Sequence, residues 1–184
     1  MRRMKALIQI DYTMDFVADE GALSCFEPAQ RIEEKIYSLT SEFIEKGDYV
    51  VVAVDVHDEG DRNHPETKLY PPHNIRYTEG RHLYGKVKNL IDQHQHNERV
   101  YFMDKTRYSA FSGTNLELKL RERGITELHL VGVCTEICVL HTAIDAYNKG
   151  FSIVIHRDAV ASFSEAGHDW ALDHFKTALG ATVL

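Results

Sequence analysis

The sequence predicts a three-layer α/β fold in which helices cover both faces of a six-stranded, mainly parallel sheet. Short apolar runs recur with amphipathic segments between them, at the spacing of βαβ units rather than hairpins. The runs are also apolar throughout, which is the pattern of strands buried on both faces.

Strands are expected at Ala6–Ile10, Tyr49–Val54, Arg99–Met103, Leu128–Val133, Phe151–Ile155 and Ala181–Leu184, where β-branched and large apolar residues dominate. The first helix starts near Pro28, a residue suited to a first turn. It carries Ile32, Ile36, Leu39 and Phe43 inward, turns Glu33-Glu34-Lys35 outward and stops at Gly47. From Asp55 to Arg81 the chain lacks a regular period and holds three of its four prolines, which reads as an ordered functional loop. Another helix opens near Thr135 and ends at Gly150, with Ile137, Leu140, Ile144 and Tyr147 as its core stripe. The last helix lies around Glu165–Leu179, and Gly180 leads into the terminal strand. No repeat, linker or low-complexity run interrupts the chain, which reads as one domain over residues 1–184.

A content of 43% hydrophobic and 27% charged residues is ordinary for a globular protein and excludes disordered and fibrous classes. The formal charge of −7 opposes attraction to phosphate backbones and anionic membranes, so a small-molecule partner is expected, with no nucleic acid and no membrane. The Met1-Arg2-Arg3 start leads into an apolar run too short for a signal-peptide core, and no stretch approaches ~18 apolar residues. A cytoplasmic location is therefore expected, while homo-oligomerisation stays open. Three cysteines, Cys25, Cys134 and Cys138, are too few for a disulfide scaffold and read as thiols.

Open parallel sheets bind ligands beyond the carboxyl ends of their strands. Here those ends carry Asp11, then Asp55-Val56-His57, then Asp104-Lys105, then the segment from Cys134 to Cys138. Asp55 and His57 lie two apart in a segment continuing an extended strand, so their side chains point the same way, as a chelate requires. Pro71-Pro72 stiffens the approach of His73, and His64 or Glu66 between them could complete a carboxylate and imidazole site for Zn, Fe or Mn. The competing reading is a polar loop whose Asp and His are merely solvated. His94 and His96, at a helix end, read as surface.

Cys138 is expected in the first turn of a helix after a buried strand, where free amides and the helix terminus would lower its thiol pKa and could hold an oxyanion. Against this stand two buried structural cysteines, or a Cys134–Cys138 disulfide. Asp11 and Lys105 at neighbouring strand ends would give such a thiol a base and a charge stabiliser.

Four separated motifs then match a known pattern in the right order. They are Ile10-Asp11-Tyr12-Thr13-Met14-Asp15-Phe16-Val17, Asp55-Val56-His57 with Pro71-Pro72-His73, Lys105-Thr106-Arg107-Tyr108-Ser109-Ala110-Phe111, and Gly132-Val133-Cys134-Thr135-Glu136-Ile137-Cys138 running on to Ala146. Over nearly its whole length the chain resembles the nicotinamidases and pyrazinamidases of the isochorismatase-like cysteine hydrolase superfamily. The resemblance implies a Rossmann-like sheet in the order 3-2-1-4-5-6, and hydrolysis of nicotinamide to nicotinate and ammonia through a cysteine thioester, a step of NAD salvage. It implies Asp11, Lys105 and Cys138 as catalytic residues, and the amides of Cys134 and Cys138 as an oxyanion hole beside a cis Val133–Cys134 peptide. Asp55, His57 and His73 become ligands of one divalent ion, expected to be Zn with Fe or Mn as alternatives, and Phe16, Tyr70 and Tyr108 become aromatic pocket walls. The fourth ligand varies among relatives; Glu66 is preferred over His64, because Pro65 restricts the backbone of His64 and a carboxylate suits a hard, water-bearing ion. The rival readings are another carboxamide or ureido amidohydrolase of the superfamily and a noncatalytic metal-binding or thiol-redox protein.

Overall fold

The computed structural model describes residues 3–184; Met1 and Arg2, the start of the basic segment read above, lie outside the described residues. Six strands form one parallel sheet in the order β3-β2-β1-β4-β5-β6. They are β1 (Ala6–Ile10), β2 (Tyr49–Asp55), β3 (Val100–Lys105), β4 (Glu127–Val133), β5 (Ser152–Ala161) and β6 (Thr182–Val183). Every residue of β1 and β2 is buried, as continuous apolarity requires of central strands.

Alternate residues feed two cores. Ala6, Ile8 and Ile10 of β1 pack with Val51, Leu128 and Leu130 against α5 (Leu116–Glu122), α6 (Leu140–Asn148) and α7 (Glu165–Thr177). Leu7, Val50, Val52 and Val131 face the other way, against α2 (Glu27–Arg31), α3 (Glu33–Glu45) and α4 (Gly85–Gln93), while the short α1 (Met14–Val17) lies by the strand ends. No helix among the described residues is long and apolar enough to cross a membrane.

Several elements differ from the sequence expectation. The first helix is two, α2 and α3, hinged at Ile32, yet its predicted stripe of Ile32, Ile36, Leu39 and Phe43 is buried. The helix expected from Thr135 begins as a wide π-type turn over Thr135–Val139, closed by the Val139 amide on the Cys134 carbonyl at 3.2 Å. Of the expected stripe, Leu140 is buried and Ile137 and Ile144 pack against the core, joined by Thr142, Ala143 and Ala146, while Tyr147 is 52% exposed. Strand β5 runs on to Ala161 past a bulge opposite Leu130 and Gly132. Gly132 has φ +114° and lies so close to the Ile10 carbonyl that a Cβ would overlap it, which reserves the position for glycine.

Away from the strand ends, His129 and His156 lie buried on β4 and β5 with Nδ1 of one 2.8 Å from Nε2 of the other, and His129 also meets Glu127 at 2.9 Å. Burial, with His129 and Lys35 adding to it, pulls the His156 pKa down to about 4; burial also lowers that of His129. A folded-state pKa below the unfolded value of about 6.5 means that the unfolded chain binds the extra proton first, so this contribution is whole above pH 6.5 and fades as pH falls toward 4. Between pH 7 and pH 5 the wild type is therefore expected to lose about 1–2 kcal/mol more than His156→Gln. In thermal melts this appears as a gap of roughly 3–6 °C between the two pH responses; parallel responses would refute it.

Candidate active site

Four strand ends converge as the topology requires. Asp11 follows β1, Asp55 and Lys105 end β2 and β3 in register with each other, and β4 delivers the turn that carries Cys138. Asp11 has φ +53°, its backbone amide bonded to the Ala53 carbonyl at 3.0 Å, and its Oδ1 accepts the Asp55 amide at 2.8 Å. Lys105 is fully buried. Its Nζ lies 2.8 Å from Asp11 Oδ2 and 2.9 Å from Asp55 Oδ1, and it donates to the Arg107 carbonyl at 3.1 Å and toward Cys138 Sγ at 3.6 Å. Asp11, Asp55 and Cys138 bring one donor atom each within 4.8 Å of one another.

The electrostatics follow from burial set against one ammonium. Burial lifts the Asp11 carboxyl to about 6 in spite of Lys105, whereas on Asp55 the pull of Lys105 and of His57 overcomes burial and takes the carboxyl down to about 2. Flanked by both carboxylates, Lys105 is held well above its ordinary value although burial opposes it. The expectation of a lowered Cys138 pKa is corrected here: burial pushes the thiol well above its usual range, Lys105 only partly countering it. Cys138 precedes α6 in the π-type turn instead of sitting in the first turn of an α-helix, and the dipole effect is confined to that first turn.

Cys134 is a thiol, as the sequence reading has it. Its thiol pairs with that of Cys25 at 3.4 Å and all three cysteines are free, so the disulfide reading between Cys134 and Cys138 falls. The Val133–Cys134 peptide is cis. Thr142, missed in the sequence, accepts the Ala110 amide at 3.0 Å and donates to the Cys138 carbonyl at 2.7 Å. This ties the Cys138 turn to the segment that follows Lys105. Its signal was present as a hydroxyl four residues after Cys138, the spacing that lets a side chain reach back to a carbonyl.

The loop brings Asp55, His57, Glu66 and His73 together, with one donor atom from each inside 4.8 Å of the others. His73 Nε2 lies 3.5 Å from Glu66 Oε2, and His57 Nε2 lies 3.5 Å from Asp55 Oδ2. Asp55 Oδ2, His57 Nε2 and His73 Nε2 are buried without a hydrogen-bond partner, which a bound cation would resolve. The ring nitrogen His73 Nδ1 meets the Pro71 carbonyl at 2.8 Å; donating there places the lone pair on Nε2, toward the cluster. Two carboxylates and two imidazoles suit a divalent ion of intermediate hardness. His64 stands outside the cluster: its Nε2 meets the Thr106 carbonyl at 2.7 Å and its Nδ1 accepts the Glu66 amide at 3.3 Å, so it caps the turn over Pro65–Lys68 that presents Glu66.

Phe16, Tyr70 and Tyr108 line the space over Cys138, together with Ile137, expected only as a core residue, and with Leu23 and Phe163, which the sequence did not single out. The enclosed volume there is small, about 10 Å³, room for one water. Phe163, 47% exposed, is the least confined of them. A larger cavity of about 170 Å³ lies on the outer side of the loop, touching His57 and Glu66 but not the thiol.

The isochorismatase domain family matches residues 5–184. An uncharacterized isochorismatase family protein, PncA of Bacillus subtilis (strain 168), is 67% identical over 179 residues, covering 97% of this chain and 98% of that protein. The crystal structure of nicotinamidase/pyrazinamidase PncA from Bacillus subtilis superposes with a TM-score of 0.97 at 66% identity, covering 98% of each chain. Pyrazinamidase of Pyrococcus horikoshii in complex with zinc superposes at 0.85 with 30% identity, again over 98% of each chain. The family match over residues 5–184 and the near full-length similarity lead to one assignment: the chain belongs to the isochorismatase family.

Proposed function

We propose that this chain is a nicotinamidase, hydrolysing nicotinamide to nicotinate and ammonia in NAD salvage. The observation that carries the reading is the Lys105 ammonium held within hydrogen-bond or ion-pair reach of Asp11, Asp55 and Cys138. A thiol with its own base and a fixed cation is the equipment of nucleophilic acyl transfer. The similarity to nicotinamidases and pyrazinamidases selects the substrate class.

The thiol is neutral at rest, so Asp11 acts as a general base during attack. It takes the Cys138 proton as Sγ bonds to the carboxamide carbon, and Lys105 holds positive charge beside the donor and acceptor of that proton. The carboxamide oxygen, now anionic, accepts from the amides of Cys134 and Cys138. Asp11 passes its proton to the amine, the C–N bond breaks and ammonia leaves a thioester on Cys138. Asp11 then deprotonates a water that attacks the thioester, releasing nicotinate and returning the proton to sulfur. Phe16, Tyr70 and Tyr108 flank the ring. Asp55, His57, Glu66 and His73 would hold one divalent ion, zinc by preference; when bound, it supplies a Lewis-acid position suited to a pyridine nitrogen.

The test of the activity is ammonia release from nicotinamide under reducing conditions. Cys138→Ala should lower the rate at least ~10⁴-fold, the scale of losing a nucleophile, while Cys134→Ala keeps much of it because that residue contributes a backbone amide. No ammonia from the wild type, or an adduct mapped to Cys134, would overturn the reading. Redox cycling without hydrolysis would favour the thiol-redox alternative.

Substrate choice tests the metal. Benzamide has the shape of nicotinamide without the ring nitrogen, and its kcat/KM should be on the order of tenfold to a thousandfold lower, ~1.4–4 kcal/mol. Chelation should narrow that gap. It should also lower the melting temperature by roughly 5–10 °C if the ion was present near a hundred times its Kd, a loss of ~2.7 kcal/mol. Equal turnover of the two amides by metal-loaded protein would remove the substrate-orienting role.

A further inference from the structure

We propose that Asp15 is a positioning residue for the metal loop, acting through the backbone of Asn74 on His57 and His73; this rests on the metal reading above. Asp15 belongs to the first of the four motifs, but the reaction just described leaves it unused. Its Oδ2 accepts the Asn74 amide at 2.7 Å and its Oδ1 accepts the Ala22 amide at 3.2 Å. Asn74 directly follows His73 in the chain, so the amide that Asp15 grips belongs to the peptide joining that ligand to Asn74. The Asn74 carbonyl in turn accepts the His57 amide at 3.1 Å. One carboxylate therefore fixes, through a single residue, the backbones of two of the four donors.

The surroundings are arranged around this grip. Asn74 is fully buried at φ +44°, a left-handed conformation that a non-glycine residue keeps only when its neighbours hold it. Its Oδ1 accepts the buried Thr13 hydroxyl at 2.9 Å, a second hold from the same motif. Gly80 leaves room for the carboxylate, since a Cβ there would overlap it. A carboxylate accepts from two amides at once. The amide of Asp15→Asn has one acceptor oxygen and turns its NH₂ toward an N–H donor. The loop would then lose its anchor without losing a ligand, and orienting groups outside a metal's ligand set are worth tenfold to a hundredfold in affinity.

The experiment measures zinc affinity by competition with a chromophoric chelator, alongside the rate of Cys138 alkylation by iodoacetamide followed by peptide mass mapping, which separates Cys138 from Cys25 and Cys134. For Asp15→Asn, zinc should bind ten- to a hundredfold more weakly while alkylation stays within twofold of wild type, because the triad is held by other strands. Thr13→Val, which removes only the second hold and preserves side-chain shape, should weaken zinc three- to tenfold and decides the matter if Asp15→Asn does not fold. Wild-type zinc affinity in both variants would overturn the proposal while leaving the metal reading intact. An alkylation rate that moves as far as the affinity would also overturn it, as general loosening. A wild type that binds no zinc would overturn the metal reading itself, and this inference with it.

Discussion

One buried ammonium organises the molecule's chemistry. Lys105 is fully enclosed, and taking such a charge out of water costs several kcal/mol unless its partners are placed with good geometry. Asp11 and Asp55 supply that geometry at 2.8 and 2.9 Å. The ends of β1, β2 and β3 must therefore be in register for the charges to meet. Removing any one of the three would leave an uncompensated charge in the interior, a loss on the scale of 3–5 kcal/mol. Asp55 also belongs to the loop cluster, so the ion pair physically joins the candidate triad to the candidate metal site. Burial above all, and then the two carboxylates facing one lysine, keep the proton on the thiol, and a dication on the loop side would relieve the negative excess.

This arrangement explains why buried charge gathers at the strand ends, at Asp11, Asp55 and Lys105. In the order β3-β2-β1-β4, the central strands β1 and β2 are buried over their whole length. A charged residue can lie at their carboxyl ends only because its partners arrive from the neighbouring strands at the same height. The register pairing Asp55 with Lys105, and the Asp55 amide on Asp11, make the site an extension of the backbone ladder. Loop residues reach the same place by other means: the Pro71 carbonyl orients His73, and His64 caps the turn that raises Glu66.

Much of this was legible in the sequence for a definable reason. Continuous apolar runs mark strands buried on two faces, and the polar residues directly after them must lie at the sheet's carboxyl edge, so Asp11, Asp55, Lys105 and Cys138 could be named without coordinates. What was not legible depended on contacts between distant segments. Local chemistry favoured Glu66 over His64, and Glu66 is the one in the cluster; the contact that holds His64 outside it, with the Thr106 carbonyl 42 residues away, was not legible. The wide turn ahead of α6 and the exposure of Tyr147 at its far end are likewise not revealed by hydrophobic spacing alone. Thr13 and Asp15 stood in the first motif without a role and Asn74 was passed over, because Asp15 grips backbone amides and Thr13 a buried side chain, contacts that leave no pattern in the sequence.

The Cys138 pKa is the most instructive departure, since the local argument was sound and lost to a larger effect. A helix terminus contributes of order 1 kcal/mol to a nearby charge, and less when the cysteine lies ahead of the regular turns. Burying the whole thiol beside two carboxylates acts in the opposite direction and is larger, and Lys105 offsets only part of it. A thiolate formed at rest would add a third negative charge around one ammonium. In the proposed reaction no such state is needed. The proton moves to Asp11, whose own carboxyl is raised to about 6 and so is a better base than an exposed aspartate, while the negative charge leaves sulfur for the carboxamide oxygen. The buried cluster then never holds the extra charge alone: substrate both triggers the proton transfer and carries the charge away. A thiol kept neutral until that moment is also a poor target for adventitious oxidants, whose reaction requires the thiolate. In the proposed reaction, the burial that makes a ready-made thiolate unfavourable thus favours molecules that present an acyl carbon and an oxygen together.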